Sequence, residues 1–234
     1  RVPMPPVPAS AIHTSTLPGL NKIWEKVLSL AQKQEHGKGR YLILNTVPTG
    51  TFFYLEKGRL TILHGAVNGK VQHMLYMEPG SLINVADALG RQSTNFRDPG
   101  CQFYCLTDVT LWSFPGFLLT DEAFISRNPE LIANLLTSLG VKLLAMHNSL
   151  SYANAGDALT KICRFCLNMS QANDGATELV PNISQTELAN LFGMHRGTLL
   201  RSIQELKQRG VIGELTKERL SIENLEELRR LAMR

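Results

Sequence analysis

Between Ser184 and Gly210 the chain reads SQTELANLFGMHRGTLLRSIQELKQRG, and few folds accommodate that order of residues. Leu188, Leu191 and Phe192 recur at helical spacing. Gly193 follows them, where a positive φ ends a helix at little cost. A second helical stripe, Leu199, Ile203 and Leu206, starts after the turn. Ala189 is small where the two helices must approach each other closely. A small residue, a glycine four later and an apolar residue six after that glycine form the steric pattern of a helix-turn-helix.

The continuation narrows the reading. Gly210-Val211-Ile212 ends the second helix. Gly213 to Leu215 and Arg219 to Ile222 then read as short strands around the turn Thr216-Lys217-Glu218, the hairpin of a winged motif. Asn224 caps a last helix bearing Leu225, Leu228 and Leu231. The second helix carries Arg196 and Arg201 near its N-terminal end, the end that enters the major groove when such motifs dock. Arginine there can make paired bonds to guanine O6 and N7. Gln185, His195, Thr198 and Lys207 fall where phosphate contacts set the register. Within 195–209 the cations Arg196, Arg201, Lys207 and Arg209 face only Glu205, so the modest net charge of +4 is concentrated where DNA would lie. The alternative is a plain helical hairpin with solvated arginines.

Upstream, the pattern Ile132, Leu136, Leu139, Leu143, Met146, Leu150 advances by alternating steps of four and three. That period of 3.5 keeps a stripe on one side of a helix and suits a dimer seam. A second row, Leu131, Leu135 and Leu144, is available to pack on the helix's own domain. Asn128 or a neighbour is expected to cap this helix, with Pro129 in its first turn. Ala153-Asn154-Ala155-Gly156 breaks the pattern and reads as a hinge, and Asp157 caps the next helix.

Before Asp121 the texture is β. Short apolar runs at 41–44, 51–55, 59–63, 71–77, 103–106 and 109–114 alternate with the turn signals Pro48-Thr49-Gly50, Lys57-Gly58, Asn68-Gly69, Pro79-Gly80 and Pro99-Gly100. A helical pattern, Leu20, Ile23, Trp24, Val27 and Leu28, precedes them. The fold class is therefore α+β. An antiparallel β-roll resembling a jelly roll, with its N-terminal arm and helix, occupies 1–125. A dimerisation helix and hinge occupy 126–155, and a winged helix-turn-helix occupies 156–234.

Composition excludes other classes. With 44% hydrophobic and 19% charged residues the chain can build a full core. No run of about 18 consecutive apolar residues marks a membrane span, and the proline-rich Arg1–Ser10 lacks the apolar centre of a signal peptide. A cytoplasmic location without a membrane partner is the expectation. No GxxxxGK, HExxH or GxSxG motif is present, so an enzyme is not expected. Cys163 and Cys166 share a helix face with Leu159, Ile162 and Leu167, which reads as core, with a redox or metal role for this pair or for Cys101 and Cys105 as the alternative.

Two stretches, FFYLEKGRLTIL at 52–63 and ISQTELANLFGMHRGTLLR at 183–201, make the chain resemble the CRP/FNR family of transcription regulators. The resemblance spans almost the whole length and implies a sensor roll, a homodimer helix and a winged DNA-binding domain. It places Arg196, Gly197 and Arg201 on the family's base-reading positions, with Gly197 replacing a glutamate that many members point at cytosine. Ser202 is less apolar than the family's usual residue, and Ile203 is expected to take over its packing.

In the sensor half the resemblance departs from the cyclic-nucleotide binders. Asn84-Val85-Ala86 stands where they carry a ribose-binding glutamate, and Asp98-Pro99-Gly100 where they carry a phosphate-binding arginine; Arg91 and Arg97 fall at neither place. The N-terminal cysteines of oxygen-sensing members are missing. The implied effector is an unknown small molecule near Leu82, Ile83, Asn84 and Val85, in a segment that vaguely resembles regulators sensing halogenated aromatics. No cofactor is obligatory. Haem through His64, His73 or Met74, or a cysteine-based redox signal, is the alternative, and a structural dimer that ignores DNA is the rival of a different class. Double-stranded operator DNA, and RNA polymerase at a promoter, are the implied partners. The implied mechanism is a signal in the roll that repacks 132–150 and, through the hinge, sets the two recognition helices about one DNA turn apart, roughly 34 Å.

Overall fold

The computed structural model describes residues 19–42, 50–65, 71–93, 101–154 and 156–233. They divide into two compact units, one over Thr14–Leu143 and the other holding Leu144–Arg234. The division falls within the segment 126–155 that the sequence sets apart.

The first unit holds two four-stranded antiparallel sheets. One has the order β1 (Gln32–His36), β8 (Val109–Phe114), β3 (Phe52–Lys57), β6 (Ser81–Ile83). The other has the order β2 (Tyr41–Leu42), β7 (Cys101–Cys105), β4 (Leu60–Gly65), β5 (Val71–Met77). Strand β3 is buried on both faces, because its alternate side chains serve two cores. Phe53 and Leu55 join Leu60, Met77, Ile83, Phe103 and Leu111 between the sheets. Phe52 and Tyr54 face a second core with Trp24, Phe114 and Phe124. There Trp24 meets Phe52 edge-on at 5.5 Å, and Phe52 stacks on Phe114 at 5.1 Å.

Gly58 makes the expected turn at φ +86°, and a Cβ there would lie 2.2 Å from the Asp108 carbonyl oxygen, so only glycine fits. The helical pattern around Trp24 forms a 3-10 helix, Lys22–Leu30, kinked at Val27. The sequence did not show β1, β6 or α1 (Val85–Ser93). The turns at Pro48-Thr49, Asn68-Gly69 and Pro99-Gly100 lie outside the described residues.

Helix α2 (Glu122–Arg127) precedes the long helix α3 (Pro129–Asn154). Asn128 joins the two helices: its side-chain amide donates back to the Phe124 carbonyl at 2.9 Å and closes α2, while its own carbonyl accepts from the Leu131 amide at 3.0 Å in the first turn of α3. Leu131 and Leu135 enter the Trp24 core as the second row predicts, and Ile132 and Leu139 pack partly against it. Leu144, the third member of that row, is instead 66% exposed. Asn134, Ser138 and Lys142, four residues apart, form a polar line on the same helix. Asn134 Oδ1 accepts from Asn21 Nδ2 at 2.8 Å and from Trp24 Nε1 at 3.2 Å, Ser138 Oγ donates to Asn21 Oδ1 at 3.1 Å, and Lys142 Nζ donates to the Leu82 carbonyl. Asn21 also accepts from the Leu82 amide at 3.1 Å, so this fully buried side chain is satisfied. By length and composition 129–147 is apolar enough to cross a bilayer. Part of that apolarity is spent on Leu131 and Leu135.

The second unit runs α4 (Ala158–Ala172), β9 (Glu178–Leu179), α5 (Gln185–Leu191), α6 (Arg196–Gln208), β10 (Ile212–Leu215), β11 (Leu220–Ile222) and α7 (Leu225–Ala232). Asp157 caps α4 through the Thr160 amide at 2.6 Å, and Asn224 caps α7 through the Glu227 amide at 2.9 Å. Cys163 and Cys166 are fully buried among Ile162, Phe165 and Leu199. Burial, with Cys163 alongside, holds the Cys166 thiol well above its ordinary range, and burial raises Cys105 as well. The thiolate is the reactive species, so both helix thiols should resist alkylation at pH 8 in the native protein and react on unfolding. Mass spectrometry of labelled protein checks this, and rapid native labelling would restore a redox reading.

Candidate nucleic-acid interface

The helix pair at 185–208 is built by local rules. Ser184 Oγ accepts from the Glu187 amide at 3.2 Å while the Glu187 carboxylate accepts from the Ser184 amide at 2.8 Å, a reciprocal cap that fixes where α5 starts. Phe192 ends the helix and Gly193 takes φ +63°. The Met194 amide then donates to the Ala189 carbonyl at 3.0 Å, which closes the turn. Ala189, Leu188, Leu191 and Phe192 are buried against Leu199, Ile203 and Leu206. Ser202 is buried beside Ile203, so both share the packing that the sequence assigned to Ile203.

Burying that stripe turns the opposite face of α6 outward. Arg196, Gly197 and Arg201 are all exposed. Arg201 Nη2 reaches Thr198 Oγ1 at 3.5 Å, a long contact at the limit of hydrogen bonding. His195 is the exposed N-cap of α6, and its side chain makes no capping bond. Lys207 is half-buried. Arg209 pairs with Glu205 one turn back, so the single anion of this strip is neutralised from within the helix.

Gln185 is placed differently from a free phosphate ligand. Its Nε2 donates to the Leu215 carbonyl at 3.0 Å and ties α5 to the wing strand β10. The wing forms a three-stranded sheet in the order β10-β11-β9, and the sequence reading missed β9, which is only two residues long. Arg219 is held by Glu178 at 3.1 Å and Glu214 at 3.6 Å, which fixes the hairpin and spends that cation. Gln204 and Gln208 are not among the expected contacts. Both are exposed on the line of Gly197 and Arg201, a spacing of four, three and four that was available in the sequence.

The remaining sites have these positions. Leu136, Leu143 and Met146 of the expected seam are 65%, 70% and 40% exposed, whereas the Leu150 side chain lies outside the described residues. Around the expected effector segment, Leu82 is buried in the Trp24 core and Ile83 between the sheets. Val85 is buried at the start of α1, and Asn84 sits at φ +63° with its amide donating to the Thr51 carbonyl at 2.7 Å. These side chains are committed to packing and to a backbone bond. The side chains of His64, His73, Met74, Arg91 and Cys101, and all of Arg97, lie outside the described residues. Among the described residues no three His, Cys, Asp or Glu side chains gather to hold a metal ion.

Residues 160–231 match the family model of the Crp-like helix-turn-helix domain. No curated protein sequence matches the chain. Among solved structures, a CooA mutant from Carboxydothermus hydrogenoformans is similar at 16% identity, with a TM-score of 0.70 over 93% of this chain and 97% of that one. A single-residue variant of CprK complexed with OCPA is similar at 15% identity, with a TM-score of 0.71 over 89% and 93%. The c-di-GMP responsive global regulator CLP of Xanthomonas campestris is similar at 18% identity, with a TM-score of 0.60 over 85% and 97%. At these identities the likeness is one of fold. Residues 160–231 are thus similar to the Crp-like helix-turn-helix domain, within a chain whose fold is like that of the solved CooA, CprK and CLP structures.

Proposed function

We propose that the chain is a transcription regulator that binds operator DNA as a homodimer, α6 of each protomer entering a major groove. The observation that carries this is the outward projection of Arg196 and Arg201 from the second helix of a Crp-like helix-turn-helix. Base edges are read by Arg196 and Arg201, while His195, Thr198 and Lys207 hold phosphates. Gln185 fixes the wing and meets the backbone only through what its Leu215 bond leaves free. The apolar row Leu136, Leu143 and Met146 is the dimer seam, since exposed leucines at heptad spacing on one helix suit a second copy of the same helix. A signal received by the roll sets the operator affinity, and the promoter-bound dimer then acts on RNA polymerase. A small molecule is the favoured signal over cysteine oxidation, because Cys105, Cys163 and Cys166 are buried.

A gel shift on duplex DNA over a range of salt tests the reading. An interface that neutralises six to ten phosphates should lose about 10³–10⁵ in affinity between 50 and 200 mM salt. Arg201→Ala should cost about 1–3 kcal/mol of binding and relax base choice at one position of each half-site. A folded wild-type protein that ignores every duplex at low salt would leave only the structural dimer.

A further inference from the structure

The exposed face of α6 follows a single line through Gly197, Arg201, Gln204 and Gln208, opposite the buried Leu199, Ser202, Ile203 and Leu206. The centre of that face therefore begins with a residue that has no side chain. After proline, glycine is the poorest former of helix interior, because it gives up the most backbone freedom on folding.

The usual structural reasons for a glycine are missing at this position. Gly197 is not among the positive-φ glycines. A Cβ built on it would meet nothing within 4 Å. Gly58 and Gly116 show the opposite case, since a Cβ there would come within 2.2 Å of the Asp108 carbonyl oxygen and 1.7 Å of the Gly50 carbonyl oxygen. The unbound protein thus has room for a Cβ at 197, and alanine in this first turn of α6 would not weaken the helix. Arg196 precedes the gap and Arg201 follows it by one turn on the same line.

We propose that Gly197 is a clearance residue, the point at which α6 comes closest to the base edges on the floor of the major groove. The missing side chain lets the helix seat deeper, so that Arg201 and then Gln204, next along the line, reach bases. Gln204 suits adenine, whose N6 and N7 pair with a carboxamide. This assignment rests on the DNA-binding reading above and adds to it a cause for the glycine and a further base-reading residue.

The test is Gly197→Ala in the full chain, with Arg201→Ala beside it, against duplexes enriched from a randomised pool by the wild-type protein at low salt. Gly197→Ala should leave the thermal midpoint unchanged or slightly higher. It should also lower affinity for the enriched duplex by about tenfold or more and weaken the base preference read by Arg201 and Gln204. An unchanged or higher midpoint with unchanged affinity overturns the proposal while the DNA-binding reading stands, provided Arg201→Ala still loses affinity. A lower midpoint also overturns it, because space at 197 would then be closed in the free protein. If the folded wild-type protein enriches no duplex at all, the DNA-binding reading itself fails and takes this assignment with it.

Discussion

Aspartate at both Leu136 and Leu143 should give a folded monomer whose operator affinity is lower by about two to four orders of magnitude. The two leucines are 65% and 70% exposed in the single chain, so the substitutions cost the protomer almost nothing in packing. In the proposed dimer the same positions face the partner helix. Four unpaired carboxylates would then be drawn into one apolar seam, at a cost of several kcal/mol. A dimer gains affinity because the second half-site is bound within one molecule, and that gain of about 10²–10⁴ disappears with the seam. Sedimentation velocity and a gel shift on one DNA fragment check both halves of the expectation. Leu131→Asp makes the contrast, because Leu131 is fully buried in the Trp24 core and its change should unfold the first unit instead. A double variant that stays dimeric would remove Leu136 and Leu143 from the interface.

The two ends of the chain differed in how much could be read from sequence. The 184–210 segment was legible because each of its signals is local. Ser184 and Glu187 cap each other three residues apart, Gly193 supplies one positive φ, and Leu199, Ile203 and Leu206 mark a single buried stripe. Once that stripe is assigned, the outward position of Arg201 follows from the helical period alone. The roll was legible only where strands alternate or a turn is sterically forced, as at Gly58. Strand β1, with the sequence QKQEH, has no apolar side to detect. It lies at the edge of its sheet and is held by backbone pairing to β8. Strand β3 is apolar on both faces because helices cover the side that a simple sandwich would leave wet. The surroundings of the expected effector segment were hidden for a related reason. Leu82, Ile83 and Val85 resemble pocket lining in sequence, yet they lie beneath a helix and between sheets, where packing takes up their surfaces. The line Asn134, Ser138 and Lys142 was passed over because its partners, Asn21 and Leu82, are distant in the chain. No local pattern announces a polar seam of that kind.

That seam supplies the other large effect. Lys142→Met should stabilise the protein at pH 7 by about 1–2 kcal/mol, and the gain should fade as pH rises. The Lys142 ammonium is directed at the Leu82 carbonyl, and burial lowers its pKa from 10.5 to about 8. A lowered pKa means that the folded state binds this proton less tightly than the unfolded chain does. Below pH 8 both states are protonated, and folding carries the full cost of burying the charge. Between pH 8 and 10.5 the unfolded chain keeps its proton while the folded protein sheds it, so stability rises with pH across this window, and above it the cost is gone. The shift corresponds to about 2 kcal/mol once the partial exposure of the side chain is allowed for. Some of that is offset in the variant, because the Leu82 carbonyl loses its donor. Denaturant melts of both proteins from pH 7 to 10.5 check the expectation through their difference, which cancels the titration of every other group. A difference that stays constant with pH, or a wild type that is the more stable at pH 7, would mean that the ammonium is solvated or balanced by an anion, and that this end of α3 is held to β6 by attraction instead of at a cost.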